Sequence, residues 1–309
     1  MQYIGIQTQI SRNNIRSVLL LLSFPSLLLV LTYLFFNIVY SNENDENTNK
    51  MFFSAAPLIM LFVAVWFAIA WFSHTAMIAK ATDSKPLERQ EGKRVYNLVE
   101  NLCISRGLKT PKIYIINDDS LNAFASGIND DTYAISLSKG IINKLDDEEL
   151  EGVIAHELTH IINRDVRLLI ISIIFVGIFS FIAEFAMRSI SFSNNSRDKN
   201  KGAGNAMIVI AVLAFAGYLL SIFFRLALSR KREYLADAGA VQLTKKPLAL
   251  ANALRKVSGD PFIEAVKRED VAQMFIEHPQ KDKSFFSSIS ALFATHPPIE
   301  DRIKMLEQF

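Results

Sequence analysis

The chain is 309 residues long, half of them apolar, 21% charged, with 33 Lys+Arg against 31 Asp+Glu and 23 Phe. A mean hydropathy of +0.23 is too high for an ordinary soluble domain, and the near-balanced charge lacks the basic face that nucleic-acid binding needs. The single cysteine, Cys103, excludes an intrachain disulfide and any cysteine-rich zinc site.

In chain order, the first element is an uncharged run of 24 residues, Ser17 to Tyr40, and the second one of 29, Met51 to Ala79. Each exceeds the roughly 20 residues a helix needs to cross the hydrocarbon core. The first is too long for the apolar part of a signal peptide and ends on no small-residue cleavage site, so it is a retained anchor. Residues 1–79 therefore form a two-helix anchor (17–40 and 51–79). Two further apolar stretches, 168–187 and 202–228, form a hairpin within 168–228. They contain Glu184 and Arg225, which fall at opposite ends of such a hairpin and suit interfacial charges better than an intramembrane ion pair.

Basic residues set the orientation. Lys80 to Arg167 carries 12 Lys+Arg and the tail after Ser229 carries 13, whereas the loop from Ser41 to Lys50 has one Lys against Glu43, Asp45 and Glu46. The loop Arg188 to Lys201 holds four basic residues, which dilutes the contrast without changing the even number of crossings. Both termini and the central segment are expected in the cytoplasm, in a multi-pass protein of the cell (inner or plasma) membrane.

Segments 80–167 and 229–309 are each too small to look complete, and together they make one domain of ordinary size. The pattern from Pro86 to Arg106 predicts a helix with Leu87, Val95, Leu98, Val99 and Leu102 as its apolar stripe. Lys112 to Ile116 and Thr132 to Leu137 predict strands, with a third over Asn122 to Gly127. Asp146 and Glu149 have the spacing of a capping box and open a helix through Val153, Ile154, Leu158 and Ile161. Arg230 to Val241, Pro247 to Val257 and Pro298 to Gln308 predict helices. The fold class is thus α+β, mostly helical.

The chemistry lies in His156-Glu157-Leu158-Thr159-His160, an H-E-x-x-H motif on that capped helix. The i, i+4 spacing puts both imidazoles on one face, able to share a metal, with Glu157 beside the open position as general base. Two His plus one carboxylate suit zinc, one per subunit, and leave a fourth position for water. A metzincin needs Gly at 163 and His at 166, and the chain has Asn163 and Val166. The alternative third ligand is a Glu on a second helix with an acid one turn later, which Glu233 and Asp237 supply; Asp237 would orient a ligand imidazole. Glu233 taken alone also fits an ion pair with Arg230. The hairpin favours the ligand: His160 lies eight residues before Leu168 and Glu233 five after Leu228, so the chain enters and leaves the membrane side by side.

Together with N-A-F-A-S-G at 122–127, T-H-P-P at 295–298 and the four spans, H-E-L-T-H and E-Y-L-A-D resemble the HtpX-type membrane zinc endopeptidases, relatives of the CAAX prenyl endopeptidases. The resemblance runs from the first span to the end of the chain. It implies a zincin-like (gluzincin-type) protease domain on the cytoplasmic face, with polypeptide substrates drawn from membrane or misfolded proteins in quality control. It also implies that Asn122, Ala123 and Phe124 belong to an edge strand that pairs with substrate, as physical reasoning allows for an unpaired strand beside the metal. Asn122 equally suits a turn after Asp118-Asp119-Ser120. His296 is either a helix-start residue before Pro297-Pro298 or, as the resemblance implies, a donor to the oxyanion of the tetrahedral intermediate. His74 and His278 have no partners in the sequence pattern and default to structural or surface roles. The competing classes are a metal-binding membrane scaffold without activity, which has no need of Glu157 between two ligands, and a metal transporter. A transporter needs ligands inside the spans, where only His74 stands.

Overall fold

The computed structural model describes residues 6–41, 45–194, 201–226, 230–258 and 297–309. The chain divides into two compact units, one of 15–72 with 171–225 and the other of 1–14, 73–170 and 226–309.

The first unit is helical. It holds most of α1 (Ile6–Val39) and α2 (Asp45–Ala81), the body of α6 (Asp165–Asn194) and α7 (Lys201–Leu226). Among the described residues, three stretches are long and apolar enough to cross a membrane: Ile10–Val39, Glu46–Ala81 and Asp165–Ser189. In α7 the apolar stretch among described side chains is Ala206–Leu220, shorter than a full span. Phe24, Leu28, Val63, Ile171, Phe175, Ile178 and Phe179 form the core, with Phe24 stacked on Phe175 at 4.0 Å. Glu184 is exposed and pairs with Arg188 one turn on in its own helix.

The second unit carries a four-stranded sheet of β1 (Ser84–Pro86), β2 (Lys112–Ile116), β3 (Ala123–Ser126) and β4 (Ala134–Ser138), in the order β1-β2-β4-β3. β2 and β4 are parallel, with Ile113 opposite Ile135, while β1 and β3 flank them antiparallel. Among the described residues the unit also holds helices α3 (Lys93–Arg106), α4 (Lys139–Lys144), α5 (Asp147–Ile162), α8 (Arg230–Thr244), α9 (Pro247–Val257) and α10 (Ile299–Leu306). Val95, Val99, Leu102, Ile113, Ile135, Leu137, Leu150, Val153, Ile154 and Leu158 are buried in its core.

The helix expected from Pro86 begins instead at Lys93. Residues Ser84 to Pro86 pair with β2, and a turn closed by the Gly92 N–H to the Glu88 carbonyl separates them from α3. The apolar Leu87 that suggested a longer helix is buried, but within this connection. The strand expected from Thr132 starts at Ala134, because Thr132 closes a turn with Asn129 through its backbone and hydroxyl.

The helix carrying the motif starts as its residues dictate. The Asp146 carboxylate accepts from the Glu149 N–H at 2.9 Å, and the Glu149 carboxylate accepts from the Asp146 N–H at 3.0 Å. Two orphan helix-end donors are thus satisfied reciprocally. Helix α5 lies at the centre of the unit, against α8, α9, α3 and β3. Gly239 permits the closest approach: a Cβ there would lie 2.3 Å from Thr159 Cγ2, so α8 can sit this close to α5 only without a side chain at that position.

Candidate active site

Close helix packing brings together side chains that are 73 positions apart in sequence. His156 and His160 project from one face of α5, their Nε2 atoms 3.2 Å apart. From α8, Glu233 places one carboxylate oxygen 3.6 Å from His156 Nε2 and the other 3.7 Å from His160 Nε2. Among the described residues these three form the group able to hold a metal ion. A tetrahedral ion with ligand bonds of roughly 2.0–2.1 Å separates neighbouring donor atoms by roughly 3.3 Å, so the spacing and the donor chemistry fit a zinc-like ion.

The outer ring nitrogens are committed elsewhere, which aims both Nε2 atoms inward. His156 Nδ1 donates to Asp237 Oδ1 at 2.9 Å, one helical turn after Glu233. His160 Nδ1 lies 3.2 Å from Asp165 Oδ2, in the first turn of α6. Such partners fix the tautomer and orientation of a ligand imidazole.

Asp237 is itself clamped by Arg302 of α10, whose Nε and Nη2 donate to its two oxygens at 2.9 and 2.7 Å. Arg302 is 1% exposed. Burial alone would raise the Asp237 pKa, but the Arg302 charge and hydrogen bonds, with the bond from His156, outweigh it and hold the carboxyl down at about 2. For His156, burial opposes the charged form, and the hydrogen bonds to Asp237 and Glu233 prevail, raising its pKa to about 9 in the metal-free site.

Glu157 is 2% exposed and faces β3, where the Ala125 backbone N–H hydrogen-bonds its carboxylate. Burial is the main cause of its raised pKa, with the two histidines pulling the other way. A carboxylate poised toward neutrality is suited to carrying a proton.

Of the residues singled out in the sequence, His156, His160, Glu233, Glu157 and Asp237 come together. Asn122 is buried at the entry to β3, its Oδ1 accepting from the Ala123 N–H at 2.9 Å and its backbone bonded both ways to Ser138. Ala123 and Phe124 follow in β3, a strand at the end of the sheet whose Ala125 backbone N–H bonds the Glu157 carboxylate. His296 lies outside the described residues, as does His278. Sequence reasoning missed Arg302, Asp165 and Ala125. Asp165 carried one signal, an acid just past the motif, whereas Arg302 sits on a short charged helix with no local mark of burial.

A helix pair presenting two imidazoles and a carboxylate, with a buried Glu between the imidazoles and long apolar helices in the same chain, defines a membrane metalloprotease. The model of Peptidase family M48 matches residues 89–309, and the chain belongs to that family. It is 61% identical to a Protease HtpX homolog of Bacteroides fragilis (strain YCH46), over the whole of both chains. It is 37% identical to a Protease HtpX homolog of Dictyoglomus thermophilum, covering 91% of this chain and 89% of that one. The corresponding protein of Lactobacillus helveticus is 34% identical, over 97% and 98%. A crystal structure of S. mikatae Ste24p aligns with a TM-score of 0.49 at 21% identity, covering 90% of this chain and 62% of that one.

Proposed function

We propose that the protein is a zinc endopeptidase with one Zn2+ per subunit, held by His156, His160 and Glu233, that hydrolyses membrane or misfolded proteins in quality control. The observation that carries this reading is the convergence of the two Nε2 atoms and the Glu233 carboxylate within 4.8 Å of one another, with Glu157 beside them. When bound, zinc polarises the scissile carbonyl and acidifies water. Glu157 takes the proton from the attacking water and returns it to the leaving amine, a role its burial favours. Asp237 holds His156 in the tautomer that leaves Nε2 free. The strand Asn122-Ala123-Phe124 binds extended substrate by main-chain hydrogen bonds, and His296 donates to the oxyanion.

In this reading the domain is zincin-like, of the gluzincin type, formed by 80–167 with 229–309. Residues 1–79 are the anchor and 168–228 a hairpin whose second helix, α7, is the fourth span. The 12 and 13 Lys+Arg in the two pieces of the domain, against one in the loop 41–50, support a cytoplasmic active site. A reporter near Asn143 or after Phe309 should then read out as cytoplasmic and one at Asn44 on the opposite side; an Asn44 reporter on the same side as Phe309 refutes the orientation.

The deciding experiment is casein degradation by detergent-purified protein, alongside metal analysis and chelation. Glu157→Gln should abolish proteolysis and keep near-stoichiometric zinc, whereas Glu233→Gln should lose both. The reverse pattern of zinc retention refutes the assignment.

A further inference from the structure

Helix α1 begins well before its apolar run, and Asn13 in that early part is fully buried. Its Nδ2 spends its two hydrogens on the corner between α5 and α6. One goes to the carbonyl of Asn163, the residue that caps α5, at 2.8 Å. The other goes to Asp165 Oδ1 at 2.5 Å. The second oxygen of the same carboxylate is the one that faces His160 Nδ1 at 3.2 Å. The corner itself is tight: Arg164 between these residues has φ +58°, a left-handed conformation that non-glycine residues seldom adopt.

The chemistry of this chain of contacts is directional. A neutral amide N–H can only donate, so Oδ1 of Asp165 is occupied as an acceptor and the carboxylate plane is fixed. Oδ2 is then left to accept from His160 Nδ1–H, which puts the lone pair on Nε2, toward Glu233 and His156. Asp165 is 1% exposed, so no bulk water stands ready to replace the amide if it is removed. His156 obtains the same service from Asp237 and Arg302. The two histidines are thus each backed by a carboxylate, and each carboxylate by one further donor from a distant part of the chain.

Resting on the assignment of His156, His160 and Glu233 as metal ligands, we infer that Asn13 is a positioning residue for the metal centre, acting on His160 through Asp165. The start of the first membrane helix is then a working part of the active site as well as an anchor.

The test uses full-length protein in detergent, loaded with Zn2+ or Co2+, and follows metal release to a chelator. Asn13→Ala, and Asn13→Leu which keeps the volume, should release metal roughly 10- to 100-fold faster than the parent, the usual cost of losing such a partner. The Co2+ absorption bands should shift in both, because the orientation of His160 changes. Asn14→Ala is the matched control: Asn14 accepts from Arg164 at the same corner but has no path to His160. Its release rate should stay within about twofold and its Co2+ spectrum unchanged, as for a surface contact. In an Asp165→Ala background, Asn13→Ala should add less than about twofold, since its route is already cut.

Release at the parent rate from both Asn13 variants overturns the inference, as does equal acceleration by Asn14→Ala or a full additional effect in the Asp165→Ala background. If neither Asn13 variant folds, Asn13 is a folding residue and the inference is likewise overturned. A parent protein that takes up no stoichiometric metal refutes the ligand assignment itself, an outcome distinct from all of these.

Discussion

Replacing Arg302 by Met tests how the metal centre is held from behind. Met roughly preserves volume and removes the charge, leaving the Asp237 carboxylate buried with His156 as its remaining named partner. The magnitude follows from the structure in two ways. The Asp237 pKa falls from 3.8 to about 2 despite complete burial, and a depression of that size is linked to stability on the order of 2 kcal/mol at neutral pH. That figure is net of the burial penalty and is shared between Arg302, named first among its causes, and His156. Truncating one member of a buried ion pair costs about 3–5 kcal/mol, in agreement. For a unit of this size the melting temperature should drop by on the order of 6–20 °C. Metal affinity should fall roughly 10- to 100-fold as His156 loses its fixed partner. Thermal unfolding of metal-free and zinc-loaded protein, with zinc titration, measures both. Arg302→Met combined with Asp237→Asn should recover part of the lost stability, because no buried charge then remains. A melting temperature within about 2 °C of the parent, with unchanged zinc affinity, would show that the buried pair is not what secures His156.

Three further outcomes are expected. In the metal-free protein the depressed Asp237 pKa contributes stability that is fully present above pH 3.8 and lost as pH falls through about 2. The raised His156 pKa contributes stability present below pH 6.5 and lost as pH rises through about 9. Melting temperature against pH should therefore fall on both sides, and zinc loading should remove the alkaline fall; a flat metal-free profile from pH 6.5 to 9 refutes it. Gly239→Ala should push α8 from Thr159 and cost about 1–3 kcal/mol by overpacking, with zinc retention reduced, and retention equal to the parent would contradict the close-approach argument. His296→Ala should lower kcat roughly 100- to 1,000-fold with zinc content unchanged, whereas near-normal kcat in a well-folded variant removes His296 from the catalytic machinery.

What could be read from the sequence depended on how far each interaction reaches along the chain. The capping box and the two histidines are separated by three and four residues, distances at which helical geometry converts spacing into contact. Proline at 247 and the short apolar runs of β2 and β4 act over similar ranges, and the elements they mark appear close to where they were expected. Pairing across the sheet is less legible: Pro86, the last residue of β1, and the apolar Leu87 after it read as the start of a helix. Glu233 was reachable because a hairpin over 168–228, as proposed above, would return the chain near the point where it left.

No such guide exists for Arg302 or Asn13, which meet His156 and Asp165 across 146 and 152 positions. Arg302 sits among Glu300, Asp301 and Lys304 and reads as one more charge on a solvated helix; only its burial against Asp237 separates it from them. Asn13 stands beside Asn14, and the two are equivalent as letters. Helical rotation alone distinguishes them, turning one onto the Asp165 carboxylate and the other onto the exposed Arg164. Local motifs therefore pointed to the proposed metal ligands, while Arg302 and Asn13, which back the carboxylates behind the two histidines, lie far from them in sequence. In this protein the precision of the site depends on tertiary packing of segments that carry no catalytic signature of their own.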